Sequence, residues 1–423
     1  MRKTTKRPIV GIDFGTSNSA VSYYAPEGPK LVELLPGQFT IPSAIFAEAE
    51  TGAWLFGKPA IDAYIGGTEG RLLRSLKSIL GSALYDSRTE LPGGQVEFRK
   101  VLEFFLGYLK KRVEEELGAD IRAAVIGRPV HFVDESPERD ALAQRQLAEV
   151  AQACGFTDIH FQFEPIAAGL DYEGGLRADE LALVADIGGG TADFSIIRLS
   201  AARHLDSDRS KDILASTGVH VGGTDFDRAL SLAAVMPHFG YRTRMKRRPE
   251  LFMPNSPFMD LATWHRIQLI YTRASVSQIA ELGRDAQQPE LLRRLLNLAT
   301  QRDGHRLATD VEKAKIDLAR HAAATLAPDY IDPPLEVVMQ PEALESVAVD
   351  LCAGIRNSIR ACIAEAGVPA DAIQTLLLTG GTTAIPFVRA LCCEEVPKAR
   401  IVEQDLFASV ALGLGVEAKV RGA

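Results

Sequence analysis

Two short apolar runs, Pro8-Ile9-Val10-Gly11-Ile12 and Leu181-Ala182-Leu183-Val184-Ala185, lie far apart in the chain. Each is followed by an aspartate and a glycine-rich turn. Runs of this kind predict buried strands. After the first, strand patterns come at 19–24 and 31–35, then a mixed insert to about residue 95. Within 97–117 the apolar Val101, Phe104, Phe105, Tyr108, Leu109 and Val113 recur at three- and four-residue steps, which predicts a helix with one face on a sheet. Next come a strand at 121–127, a helix near 137–154, a strand at 159–163 and a helix opening at Glu164-Pro165, where proline suits the first turn.

The second half repeats the theme, with strands near 181–187, 192–199 and 212–220, and Gly222-Gly223-Thr224-Asp225 leading into a helix. Residues 226–310 read as helical and irregular, with a loop at Pro249, Pro254 and Pro257. The last third alternates helix 342–366, strand 374–379, a turn at Gly380-Gly381, helix 386–393, strand 400–402 and helix 406–419. Repetition at this scale predicts a duplicated α/β architecture: two three-layer lobes, 1–175 and 176–423, with mostly parallel sheets and a cleft between them.

Composition narrows the class. At 423 residues the chain exceeds one ordinary core, and 46% hydrophobic content suits a packed globular protein. A net charge of −8 argues against nucleic acid as a partner, and the basic run Arg242 to Arg248 reads as a solvated loop. Five cysteines without Cys-x-x-Cys spacing and eight scattered histidines give neither a disulfide framework nor a transition-metal site. The basic start, Met1 to Arg7, is followed by too short an apolar stretch for a signal peptide, and no run approaches the roughly 20 residues of a membrane span. A cytoplasmic protein without a membrane partner is expected.

The turns carry the candidate chemistry. Asp13-Phe14-Gly15-Thr16-Ser17-Asn18 and Asp186-Ile187-Gly188-Gly189-Gly190-Thr191 each place a carboxylate at a strand end, then glycines whose N–H groups can approach anionic oxygens, then hydroxyls. One such turn is common in proteins that bind no phosphate. Two point to a two-sided phosphate clamp, and carboxylates beside phosphates call for Mg²⁺, which needs only one or two of them. The P-loop pattern is missing.

Six ordered segments resemble the nucleotide-binding part of DnaK-type heat-shock chaperones, in the actin-like ATPase superfamily. They are Gly11 to Ser19, Phe163 to Gly169, Asp186 to Asp193, Gly222 to Asp227, Glu312 to Lys315 and Leu378 to Thr382. Ile126 to Pro129 with Phe161 to Tyr172 is most similar to the stand-alone group called YegD-like chaperones. The resemblance implies two duplicated lobes on ribonuclease H-like sheets, with insert subdomains at about 37–100 and 226–310, a last helix packing back toward the first lobe, and no peptide-gripping β-sandwich. It implies binding of ATP and ADP with Mg²⁺, and slow hydrolysis acting as a conformational switch. It further implies a monomer whose client or co-chaperone is unknown.

Residue by residue, the resemblance assigns Asp13, Glu164 and Asp186 to the metal, largely through water. Catalysis falls to Lys77, Glu164, Thr191 and Asp193, and phosphate binding to Gly15, Thr16, Ser17, Asn18, Gly188, Gly189, Gly190 and Thr191. The adenosine side would be Gly222, Gly223, Glu312, Lys315, Ile316, Gly380, Gly381, Ala384 and Asp405. Glu312, Lys315, Ile316 and Ala319 fall at helical offsets that predict one face. Ile316 and Ala384 replace the two arginines that sandwich adenine in the family, so weak, base-tolerant binding is expected. The rival readings are a sugar-type kinase of the same superfamily, an actin-like filament protein and a nucleotide-sensing module.

Overall fold

The computed structural model describes residues 8–133, 136–203, 206, 208–402 and 408–422. Its framework is two sheets of matching topology. In the first, β1 (Ile9–Phe14), β2 (Asn18–Ala25), β3 (Gly28–Leu31), β4 (Thr40–Pro42), β5 (Ala123–Arg128) and β6 (Asp158–Phe163) are ordered β6-β5-β1-β2-β3, with β4 also on β2. In the second, β7 (Glu180–Ile187), β8 (Ala192–Leu199), β9 (Ile213–Val219), β10 (Thr375–Thr379) and β11 (Arg400–Val402) are ordered β11-β10-β7-β8-β9. In each sheet the aspartate-bearing strand pairs antiparallel with the next strand in sequence and parallel with a later one. The sheets are therefore mixed rather than mostly parallel. A hairpin with a short turn can only join antiparallel strands, and both phosphate-type turns are such hairpins.

Six helices frame the cleft and its supports: α1 (Phe98–Leu117), α2 (Pro137–Ala153), α3 (Glu164–Glu173), α4 (Gly223–Leu230), α5 (Gly304–Leu318) and α6 (Ser409–Gly422). On α1, Val101, Phe105, Leu109 and Val113 are buried against Val10, Ile12 and Phe14 of β1. Phe104 and Tyr108 of the same stripe instead serve the insert: Phe104 lies 4.5 Å from the Trp54 ring, and Tyr108 stacks on Phe56 at 4.3 Å. That insert is a three-stranded sheet of Ala44–Glu48, Trp54–Phe56 and Gly70–Arg74 with the helix Lys58–Ile65.

A separate apolar cluster lies between the lobes. Ile166, Ala167 and Leu170 of α3 and Val410 and Leu414 of α6 pack with Val125 of the first sheet and Val184, Ile197 and Leu377 of the second. Both helices thus touch both sheets, and α6, the last element, also lies across β1 and β2. The helix expected over 342–366 breaks at Ala348 into Pro341–Val347 and Val349–Glu365. The third strand ends at Leu31, earlier than its apolar pattern suggests.

Candidate active site

The two hairpins meet across the cleft. A Cβ built on Gly189 would lie 2.5 Å from Ser17 Oγ, so the tips approach closely and a larger residue there would make the Ser17 hydroxyl turn away. Each hairpin is braced from behind. Ser43 donates its Oγ to Gly15 O at 2.7 Å and its N–H to Ser17 O at 2.8 Å. Gly223 N–H and Thr382 Oγ1 donate to Gly188 O at 3.0 and 2.8 Å, and Thr224 donates N–H and Oγ1 to Gly189 O at 2.9 and 2.8 Å. Gly222 packs so tightly on this hairpin that a Cβ there would lie 2.4 Å from Gly190 N. Gly222 and Gly223, expected beside adenosine, thus hold the second hairpin. Gly190 is exposed at its tip, while Thr16 and Asn18 are half-buried in the first.

Between the hairpins sit the ionisable groups. Asp13 is the last residue but one of β1, and Asp186 stands opposite both Asp193 and Thr379. Lys77 rides a short 3₁₀ turn, Leu76–Ile79, and its buried Nζ meets Glu164 Oε1 at 2.5 Å. Thr191 donates its hydroxyl to Asp193 Oδ2 at 3.0 Å. Burial, then Glu164, push Asp13 up to about 7 against the opposing pull of Lys77. Burial, then Asp193, Glu164 and Asp13, push Asp186 up to about 8. Burial works against the Lys77 ammonium, but Glu164 and Asp13 outweigh it and its pKa rises. Carboxylates that hold protons because they are buried, and buried beside one another, are a donor set that a divalent cation would take over. Among the described residues no three or more His, Cys, Asp and Glu converge closely enough to enclose a metal unaided. Mg²⁺ fits this sparse set, since it keeps waters and takes phosphate oxygens.

On the other side of the second hairpin, Lys315 is buried, its Nζ 2.8 Å from Asp227 Oδ1 and 3.1 Å from Gly223 O. The first contact is an ion pair and the second a hydrogen bond. Glu312, Ile316 and Ala384 are exposed, and Gly380-Gly381 lead from β10 into the 3₁₀ turn Gly381–Ala384. Asp405 lies outside the described residues.

Arg74 joins the site without any signal in the local sequence. From the first lobe's insert it lays its guanidinium 4.5 Å from the ring of Trp264 in the second lobe, near Glu312 and Asp227. Beside it Tyr64 meets His305 edge-on at 4.7 Å, and Trp264 meets His305 at 5.0 Å. Burial pushes His305 down to about 4, so this aromatic contact is neutral at physiological pH. The inserts therefore meet across the cleft. No local motif could announce this contact, because its partners lie 190 positions apart in sequence, at 74 and 264.

No helix among the described residues is long and apolar enough to cross a membrane. A family model described as "Hsp70 protein" matches residues 9–247 and 296–423. The chain is 28% identical over 433 residues to "Chaperone protein DnaK" of Thermosipho melanesiensis, covering 98% of this chain and 59% of that protein. It is 27% identical over 423 residues to the protein of the same name from Thermotoga maritima, covering 98% and 60%. With "Heat shock protein SSC3, mitochondrial" of Saccharomyces cerevisiae it shares 28% over 450 residues, covering 99% and 59%. The chain thus spans about three-fifths of the length of these relatives. With the family matched along both lobes, and the duplicated sheets and paired hairpins in place, the chain belongs to the Hsp70 family and has its actin-like ATPase fold.

Proposed function

We propose that this chain binds ATP with Mg²⁺ between its two hairpins and hydrolyses it slowly, the nucleotide state setting the angle between the lobes. The observation that carries this reading is the Lys77–Glu164 pair lodged between two aspartate-glycine turns whose tips touch. Bound there, Mg²⁺ would compensate charge on phosphate oxygens. The residues that would hold it are Asp13, Asp186 and Glu164, mainly through water. Hairpin N–H groups orient the phosphates, Lys77 offers a donor to the terminal one, and Glu164 aligns water for attack. Such positioning and charge compensation is most of what phosphoryl transfer asks of a protein. The output would be read by a protein partner, in keeping with relatives named as chaperone and heat-shock proteins.

Calorimetric titration with Mg²⁺-ATP and single-turnover hydrolysis test the reading together. Loss of two cation–π contacts, each about 0.5–2 kcal/mol, weakens binding roughly 5- to 1,000-fold, so ATP and GTP should bind within about tenfold of each other. Nanomolar ATP affinity with strong rejection of GTP would contradict the base-tolerant part. No binding of either would end the proposal.

Proton linkage gives a second check. A carboxyl raised on folding stabilises the protein below the ordinary carboxylate range, and that contribution is lost as pH rises through its folded pKa, here about 7 for Asp13 and about 8 for Asp186. Mg²⁺-nucleotide binding at pH 7 should accordingly release about one to two protons, and almost none at pH 9. Titrations in buffers of different ionisation enthalpy measure this, and a release that does not shrink with rising pH would refute it.

The bridge across the cleft should slow nucleotide escape. Trp264→Ala removes a cation–π contact of about 0.5–2 kcal/mol, so release of a fluorescent nucleotide should quicken roughly 2- to 30-fold in stopped flow. An unchanged rate would show that the bridge does not hold the cleft shut.

A further inference from the structure

One buried ionic cluster lies at the far end of α3, away from the phosphate turns. Arg209, Glu173 and Asp212 are 2%, 0% and 0% exposed. Arg209 grips the Glu173 carboxylate with two parallel bonds, Nη1 to Oε2 at 2.8 Å and Nη2 to Oε1 at 2.6 Å, while its Nε donates to Asp212 Oδ2. Arg203 Nη1 donates to the other Asp212 oxygen, and Ser200 N–H to Glu173 Oε1 at 2.6 Å. Glu173 is the last residue of α3; Arg209 and Asp212 belong to the connection between β8 and β9 in the second sheet. The helix that begins with Glu164 in the cleft is thus pinned at its other end to the second lobe.

Stability alone is a poor reason for such a cluster. Desolvating these charges costs about as much as their attraction returns, and apolar replacements of similar volume are often neutral or better. A bidentate Arg–carboxylate pair does fix direction, since two parallel bonds between planar groups allow little rotation or sliding. The helix of ten residues is about 15 Å long. Sliding or tilting at Glu173 therefore passes along its axis to Glu164, whose 2.5 Å contact with Lys77 tolerates little displacement. A misplacement of about 1 Å at a reacting group can cost on the order of 10²-fold in rate.

We propose that Arg209 is a positioning residue: by clamping Glu173 and Asp212 it holds α3 against the second lobe in the register that presents Glu164 to Lys77 and the cleft. This rests on the hydrolytic reading of the cleft, and it adds a residue that touches neither nucleotide nor metal.

Arg209→Met alone takes the bidentate partner from buried Glu173 and one of two cations from buried Asp212, so folding itself is at risk. The test therefore uses the triple variant Arg209→Met/Glu173→Gln/Asp212→Asn, in which all three side chains are neutral, beside Arg209→Lys and the unaltered chain. Each is measured for thermal midpoint, single-turnover ATP hydrolysis, nucleotide affinity and hydrogen exchange at Ile166 to Gly169. The triple variant should keep its thermal midpoint and bind nucleotide within about threefold of the parent. It should hydrolyse on the order of 10- to 100-fold more slowly and exchange faster at the start of α3, with Arg209→Lys falling between. Parent-like hydrolysis and exchange in the triple variant would overturn the proposal. Should the parent itself not hydrolyse ATP, the catalytic reading falls separately and the exchange comparison still decides whether the clamp reaches Glu164.

Discussion

Lys77→Ala is expected to lower single-turnover ATP hydrolysis by on the order of 10²–10³, the usual effect of removing one donor that acts in the transition state. Nucleotide affinity should change much less, because the hairpin N–H groups and their braces at Ser43, Thr224 and Thr382 are untouched. The pH profile should move as well. Lys77 is a cation that holds Asp13 and Asp186 down, so without it both carboxyls climb further and, because they hold Mg²⁺ only when ionised, the acid limb of the residual activity should move to higher pH. Hydrolysis at the parent rate would remove Lys77 from the mechanism. A lower rate with no change in the profile would leave the donor role but discard the electrostatic coupling.

Lys77 also marks the limit of what could be read along the chain. Its neighbours form no periodic pattern: a 3₁₀ turn comes after Ser75, whose backbone is left-handed at φ 56°, and the lysine points inward to a partner 87 positions away. Only the family resemblance singles it out. Asp13 and Asp186 are legible without it, because strand, carboxylate, glycine and hydroxyl are consecutive and their chemistry is local. The duplicated strands are legible for the same reason, each being a short apolar run. Ser43, Arg74, Trp264 and Arg209 are not. Each owes its place to a contact with a distant segment, and an isolated serine, tryptophan or arginine says nothing about what it will face. The face expected on α5 is only partly right for a related reason. Lys315 shares helical spacing with Glu312 and Ile316, yet it turns inward because Asp227 and Gly223 O offer it partners there.

The crossing of α3 and α6 between the lobes should be the least forgiving place in the protein for a single added methyl group. A Cβ on Gly413 would lie 1.8 Å from Ala167 O and 2.6 Å from Ala167 C, backbone atoms that no rotamer change can move. Gly11 of β1 makes the same kind of approach on the other side of α6, its absent Cβ 2.6 Å from Gly415 N. With β1 beneath and α3 above, α6 cannot shift away from one without striking the other. Overpacking usually costs about 1–3 kcal/mol when side chains can adjust, and Gly413→Ala should reach about 3 kcal/mol or more because they cannot. Gly107→Ala supplies the contrast: its new Cβ would meet only Cys154 Sγ, at 3.9 Å, within α1. There the substitution should stabilise by about 0.5–1 kcal/mol, through the entropy that glycine costs a helix. Urea unfolding of the two variants should therefore move the midpoint in opposite directions. If Gly413→Ala unfolds at the parent midpoint, the helices do not cross this closely. The fraction that stays folded should also hydrolyse ATP more slowly, because Ala167 sits one turn from Glu164 and its displacement carries the cleft carboxylate with it.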